Sequence, residues 1–534
     1  MFTQGWKTSE RKYDVIVERD VRIPVRDGTL LAGDLFRPAG PGKFPVILGC
    51  HPYNCEVQTA PLRPIGYGNL RGYIEAGDPA FLVRRGYVQA VVNVRGSGKS
   101  QGKFQMMGPL EVQDVCDTIQ WLANQPWSDR NVGMFGVSYF AWLQLQVGAL
   151  NPPHLKAIFA PWGATDFYRD VFYHGGILAH GFLRHWSLNW DNPRPMSWCR
   201  EKMGDEQYRR AIEAALRDED IVAVADLRQA LENPDKGRSP AVVDVILNAL
   251  DGDYYQESLD RPVYQYQYES LRWFDYWLKG IDTGVMDDPP VRLFMSPAAQ
   301  WKSAKDWPLP ETRWTPFYLH AGGLLSEHEL WPDEGCDRFE DSTFAHHELT
   351  YWTPSLVENT ELIGPVVLDL FASSSDAEMF VFATLLLQDR DGQVHELTRG
   401  WLRGSQRALR ADSEPWDPIL AHDKREPLEP GKIYELRFAM VPTARLVLAG
   451  ERIGVRIKGA DNEAADSRLQ QIARGCLWRQ SPWRMTVYHE ESHPSHLLLP
   501  ITQGNLVGTF LSGGELPDIE PGEKPYAKFH MPKE

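Results

Sequence analysis

Serine becomes a nucleophile when a base takes its proton and donors receive the charge that its attack creates. One serine in this chain stands where both could be arranged. Asn131 to Leu150 reads NVGMFGVSYFAWLQLQVGAL. Val132, Met134 and Phe135 form a short apolar run, Gly136-Val137-Ser138-Tyr139 a turn, and Ala141 to Leu150 an apolar stretch without interior proline. This predicts a buried strand, a tight corner and a helix. A serine at such a corner has the geometry of a nucleophile elbow, which lifts the hydroxyl above the end of a sheet. The following N–H and the helix N-terminus then face a developing negative charge. The usual elbow is Gly-x-Ser-x-Gly; here Phe140 takes the last place and Ala141 is the next small residue. The same residues also suit a serine N-cap on an ordinary buried helix.

Other chemistry-bearing stretches are weaker. Arg95-Gly96-Ser97-Gly98-Lys99-Ser100 invites a phosphate-loop reading, but a Walker A motif needs glycine where Asn93 stands, and Gly102 argues against a helix starting at Lys99. His174, His180 and His185 are spaced by neither His-x₃-His nor HExxH, so pocket lining or capping is expected and no metal. Cys50, Cys55, Cys116, Cys199, Cys336 and Cys476 contain no Cys-x-x-Cys pair, which argues against a disulfide framework or zinc site and for a reducing compartment. No cofactor is called for. A net charge of −16 disfavours nucleic acid and anionic membranes. No apolar run reaches the roughly 18 residues of a spanning helix. The polar start MFTQGWKTSERKYD has no leader pattern, so a cytoplasmic location is expected.

The elements that must position Ser138 follow from periodicity. Residues 14–37 alternate around Arg26-Asp27-Gly28 and read as a hairpin. Pro45 to Gly49 and Tyr87 to Val94 are buried strands, ending in Cys50-His51-Pro52-Tyr53-Asn54 and Arg95-Gly96. Glu111 to Gln125 is an amphipathic helix with Val112, Val115, Cys116, Ile119 and Leu122 on one face. Leu155 to Ala160 is another strand. The alternation is α/β with a parallel sheet, whose ligands bind beyond the strands' carboxyl ends, where Tyr53, Arg95 and Ser138 fall. Residues 162–250 are rich in tryptophan and then helical, and read as a cap over the sheet. Leu271 to Lys279 is an aromatic helix closed by Gly280, and Val291 to Met295 one more strand. From about residue 315 short strands separated by Gly, Pro and Asp turns predict a β-sandwich.

Taken together these stretches resemble the CocE/NonD group of α/β-hydrolases, relatives of cocaine esterase and the S15-type X-prolyl dipeptidyl-peptidases. The resemblance is carried by Arg26-Asp27-Gly28-Thr29, His51-Pro52-Tyr53, Arg85-Gly86-Tyr87 and Asn93-Val94-Arg95-Gly96-Ser97-Gly98 with Ser100 and Gly102. It continues through Glu111 and Asp114, Trp121-Leu122 to Trp127, Val132 to Tyr139, Pro152 to Ala157, Leu271 to Asp275 with Gly280, and Gly400-Trp401-Leu402. It implies an α/β-hydrolase core over 1–160 and 258–310, a helical cap over 161–257 and a jelly-roll-like β-sandwich over 311–534. It implies Ser138 as nucleophile and the Tyr53 hydroxyl and Tyr139 N–H as oxyanion donors. The sequence departs from the group at Asn93, often Asp, and Ala141, often Gly.

A larger departure lies at Tyr254 to Pro262. The group places a strand with the triad aspartate there, then a helix and a strand leading to the triad histidine. Here there is no histidine between His185 and His320. A β-α-β unit of ~30 residues is missing. Three explanations stand: residues absent between Glu257 and Ser258, a chain that has lost its triad, or acid and base from elsewhere, such as Asp166 with His174 or His180. If residues are absent, the Cα atoms of Glu257 and Ser258 lie much farther apart than the about 3.8 Å of a trans peptide. The function expected is hydrolysis of a small ester or amide through an acyl-enzyme on Ser138, with Trp162, Asp166 and His174 in its pocket. The alternatives are a hydrolase-fold binding protein and a serine acyltransferase. Sequence leaves a homodimer open.

Overall fold

The computed structural model describes residues 7–58, 75–164, 166–187, 196–250, 267–298, 300–341, 347–460, 476 and 479–504. The Glu257–Ser258 junction lies outside the described residues. The chain divides into two compact units at Asp288/Pro289, with Gly175–Ile177 belonging to the second.

The first unit runs β1 (Asp14–Pro24), β2 (Leu30–Ala39), β3 (Phe44–His51), α1 (Cys55–Gln58), α2 (Pro79–Val83), β4 (Val88–Asn93), α3 (Pro109–Ala123), β5 (Ser128–Phe135), α4 (Tyr139–Ala149) and β6 (Leu155–Phe159). The sheet order is β1-β2-β4-β3-β5-β6. The β4-β3-β5-β6 part is parallel, while β1 pairs β2, and β2 pairs β4, antiparallel. Every residue of β3 and β4 is buried, as expected for strands covered on both faces. Among the described residues β6 is the last strand, and most of its length is only half-buried.

The cap follows as α5 (His180–Ser187), α6 (Trp198–Met203), α7 (Asp205–Ala215), α8 (Glu219–Ala223), α9 (Ala225–Glu232) and α10 (Ser239–Leu247). The aromatic helix α11 (Gln267–Lys279) returns to the sheet. Its Leu271, Phe274 and Leu278 share a core with Ile47, Phe135 and Ala157. Gly133 of β5 permits this approach, since a Cβ there would stand 2.8 Å from the Phe274 ring. Two of the stretches that carry the family resemblance meet here, where the Tyr87 hydroxyl donates to Asp275 at 2.7 Å.

The second unit is a sheet-rich β-sandwich around one apolar core that includes Phe317, Leu368, Val381, Leu385, Val455 and Leu497. The predicted strands appear at Arg313–His320, Val367–Ser374, Phe380–Gln388, Tyr434–Ala439 and Arg452–Lys458. The division between units differs from the expected 310/311. Val291–Met295 is a strand, but it pairs antiparallel with Gln300–Ala304. Ser296 then bridges Arg445, and Met295 packs with Leu309 and Ile363, so this ribbon belongs with the sandwich. None of the six cysteines forms a disulfide. Among the described residues no helix is long and apolar enough to cross a membrane.

Candidate active site

The corner between β5 and α4 is built on an unusual backbone. Ser138 has φ 61° and ψ −119°, a sparsely populated region for any residue with a side chain. Holding it there costs about 1–3 kcal/mol, which the surrounding fold must offset. Its carbonyl starts α4 by accepting from the N–H groups of Ala141 at 2.8 Å and Trp142 at 3.0 Å. Its own N–H donates to Pro161 at the end of β6. The side chain makes no capping bond, and the extended backbone of an N-cap is absent, so this serine does not cap its helix. Ser138 is partly exposed between buried Val137 and Tyr139. Gly136, at φ 142°, makes the turn possible, because a Cβ there would lie 2.5 Å from that of Phe140.

Tyr53 reaches this corner from the loop after β3. Its phenol lies beside the Ser138 hydroxyl. It accepts from Trp186 Nε1 of the cap helix α5 at 2.9 Å, which leaves its own proton to be offered to another acceptor. Burial raises the phenol well above its usual range, and the nearby Glu75 carboxyl adds to this, so it acts as a donor and not as a phenolate. Glu75 is itself pushed up to about 8 by burial, against a bond from Gln58 Nε2 at 3.1 Å.

The loop that carries Tyr53 is clamped from below. The Tyr53 N–H donates to His51 Nδ1 at 3.1 Å, and the His51 ring stacks on Phe140 at 4.6 Å. This bond makes Nδ1 the acceptor, so the proton of the neutral ring sits on Nε2, next to Cys55 Sγ at 3.5 Å. Burial pushes His51 down to about 3, and with its lone pair already used it is no base for Ser138.

Asn93 completes the clamp. Its Nδ2 donates to the carbonyls of Tyr53 at 2.7 Å and His51 at 3.4 Å, while its Oδ1 accepts from Cys55 Sγ at 3.2 Å. The departure from Asp has a physical reason here, because a carboxylate would face two carbonyls with no donor to offer. Asn93→Asp is expected to loosen Tyr53 and cost about 1–3 kcal/mol of stability through unsatisfied buried acceptors. Thermal denaturation beside a kcat measurement checks this; both should fall.

Tyr139 is the first residue of α4, so its N–H has no partner within the helix. Its ring is fully buried, edge-on to Tyr53 with centroids 6.1 Å apart, and near Trp142 and Trp186. Its hydroxyl donates to Glu111 Oε1 of α3 at 2.7 Å. Phe167, Phe172 and Phe182 extend the same aromatic cluster around Trp142 and Trp186. Sequence reasoning expected cap aromatics, Trp186 among them, at the site and counted Glu111 among the residues that carry the family resemblance, but gave neither a role of its own, and it missed Glu75.

The remaining candidates have other engagements. Trp162, at φ 55° and half-exposed, follows Pro161 beside Ser138. Both Asp166 oxygens are committed to Arg169: Oδ1 accepts its N–H at 2.8 Å and Oδ2 its guanidinium at 2.6 Å. Asp166 is thereby tied to Arg169 of the helical turn that follows it. His174 Nδ1 lies 3.0 Å from the Arg169 carbonyl, and burial lowers its proton affinity. In the second unit, Ser326, His320 and Glu334 imitate a triad, with Ser326 Oγ 3.1 Å from His320 Nε2 and Glu334 2.9 Å from Nδ1. Ser326 is fully buried there, and the same Nε2 lies 3.1 Å from the His328 carbonyl, so the cluster ties a turn together. His347 bonds the Glu340 carbonyl. Among the described residues no group of three His, Cys, Asp or Glu side chains could hold a metal ion.

Residues 27–253 match the X-Pro dipeptidyl-peptidase (S15 family) profile, and residues 283–498 match the X-Pro dipeptidyl-peptidase C-terminal non-catalytic domain. The chain is 26% identical to cocaine esterase of Rhodococcus sp. (strain MB1 Bresler), over 91% of this chain and 98% of that protein. It is 22% identical to a putative Xaa-Pro dipeptidyl-peptidase of Bacillus anthracis, over 78% of each. Its fold superposes on a CocE/NonD family hydrolase from Staphylococcus aureus with a TM-score of 0.72 at 24% identity, covering 91% of this chain and 94% of that one. With the two profiles matched in order along most of its length, the chain carries the domain pair of the S15-type X-Pro dipeptidyl-peptidases on an α/β-hydrolase fold, and it is similar to cocaine esterase and to the CocE/NonD hydrolases.

Proposed function

We propose that the protein hydrolyses an ester or amide bond of a small molecule through an acyl-enzyme on Ser138. The observation that carries this reading is the strained Ser138 backbone, which brings the hydroxyl into contact with the Tyr53 phenol. Attack on the substrate carbonyl moves the serine proton to a base and places negative charge on the carbonyl oxygen. The Tyr53 O–H and the Tyr139 N–H would receive that charge, each donor contributing about 3 kcal/mol to the transition state. The aromatic cluster of Tyr139, Trp142 and Trp186 supports an apolar acyl group. Collapse of the adduct breaks the ester or amide bond, and the alcohol or amine leaves with the proton that the serine gave up; water then attacks the acyl-enzyme, releasing the acid and regenerating the serine.

One observation favours a second reading, a hydrolase-fold binding protein. No histidine occurs between His185 and His320, and among the described residues none hydrogen-bonds to Ser138. A fluorophosphonate probe separates the two. An active hydrolase should be labelled on the peptide that contains Ser138, with the probe's mass added once. An unlabelled protein over neutral to mildly alkaline pH overturns the hydrolase reading in favour of the binding protein.

A further inference from the structure

We propose that Glu111 is a positioning residue for the oxyanion hole: as a neutral acid, it ties down the Tyr139 side chain and with it the N–H of the same residue. The inference rests on Ser138 being the nucleophile, and it assigns a task to a buried acid that the reaction itself does not use.

The argument begins with burial. Glu111 is 2% exposed and Tyr139 is fully buried. An acid in such a place is costly unless its oxygens are paired. Oε1 accepts from the Tyr139 hydroxyl, but Oε2 is enclosed and has no hydrogen-bond partner. A carboxylate would leave charge on that oxygen with nothing to meet it, whereas the neutral acid does not. The chain also strains itself at this spot. Met107, in the left-handed region at φ 56°, lies beside the pair.

The groups around the acid act on its proton in both directions. Tyr139 faces it from α4, and its hydrogen bond favours the ionised form. Asp114 lies one turn further along α3, and repels a second negative charge even though Arg95 holds it by two bonds of 2.6 Å. Cys50 faces it from β3 as a buried neutral thiol. Among these neighbours, desolvation is the largest influence, and pushes Glu111 up to about 8. Tyr139 cannot shift without breaking its bond to Glu111, and its backbone N–H stands one residue after the nucleophile. Ionisation of Glu111 would put a charge behind that N–H, opposing the oxyanion it is to receive.

The sign of the stability effect follows. A carboxyl raised in the folded state holds its proton there while the unfolded chain has lost it. Stability then falls as pH rises from the unfolded value, 4.5, toward about 8, and levels off above. Glu75 contributes in the same direction, so the difference between wild type and Glu111→Gln isolates Glu111.

The test uses the full chain, Glu111→Gln and Tyr139→Phe. Glutamine keeps an oxygen for the Tyr139 hydroxyl and cannot ionise. We expect ester hydrolysis by the wild type to decline above about pH 8, and that alkaline decline to be absent from the pH profile of Glu111→Gln. Tyr139→Phe should lower kcat about tenfold with KM nearly unchanged, as misplacement of a transition-state donor does. The melting temperature of the wild type should fall relative to Glu111→Gln between pH 5 and pH 8. An alkaline decline unchanged in Glu111→Gln, or a melting difference that stays flat over that range, overturns the proposal. Absence of any fluorophosphonate labelling in the wild type would instead remove the nucleophile reading, and the melting comparison would still decide whether Glu111 titrates as described.

Discussion

Ser138→Ala should abolish ester or amide hydrolysis, with kcat falling by about 10⁴-fold or more, as loss of the nucleophile does in serine hydrolases. Substrate binding should persist, because the proposed apolar contact with the acyl group is made by the aromatic cluster of Trp142, Trp186 and Tyr139 and not by the hydroxyl. Tyr53→Phe should be a graded companion. It keeps the ring against Tyr139 but removes the hydroxyl between Trp186 and Ser138. Removing one oxyanion donor costs about 10²–10³-fold in kcat. The double variant should be no worse than Ser138→Ala, since a donor for an oxyanion has no value when no oxyanion forms. Steady-state kinetics with an activated ester would show all three. Activity retained by Ser138→Ala would mean that another group does the chemistry.

The second large effect concerns folding. Arg95 leaves the end of β4 and buries its guanidinium against Asp114, with Nε and Nη2 each 2.6 Å from a carboxylate oxygen, while Nη1 bonds Asp27 at 2.8 Å. Asp114 is almost wholly enclosed. Arg95→Met is therefore expected to destabilise by about 3–5 kcal/mol, because it leaves a buried carboxylate without its cation. Adding Asp114→Asn should recover a good part of that loss. Urea denaturation followed by tryptophan fluorescence would measure both, and an Arg95→Met protein as stable as the wild type would show that Asp114 gives up its charge at little cost.

This ion pair illustrates how much of the molecule was legible in its sequence. The strands β3, β4 and β5 were readable because each is a compact apolar run bounded by turn residues. The elbow was readable because glycine, serine and a helix-forming stretch follow one of them. Glu111 and Asp114 were not, although they lie on a helix that periodicity located. The heptad-like spacing of Val112, Val115 and Ile119 marks one buried face, and predicts solvent for everything else. Both acids are nevertheless buried, because Arg95 and Tyr139 arrive from other parts of the chain to meet them. Asn93 was noticed only as a departure; its meaning lay in two carbonyls that fold back over it. Val291 to Met295 was recognised as a strand and assigned to the wrong unit, since an apolar run states that it pairs but not with what. Asp166 had a plausible position and no sign that Arg169, three residues on, would occupy both of its oxygens.

The bond from Trp186 to Tyr53 joins residues 133 positions apart, and it couples two events usually treated separately. A hydroxyl that accepts a hydrogen bond becomes a stronger donor through its own proton. The indole sits on α5 of the cap, whereas the phenol belongs to the loop after β3. A displacement of α5 would stretch this bond, and so weaken the donor that would meet the oxyanion. On the proposed reading, the seating of the cap helix and the electrophilic strength of the site are therefore set together by one hydrogen bond.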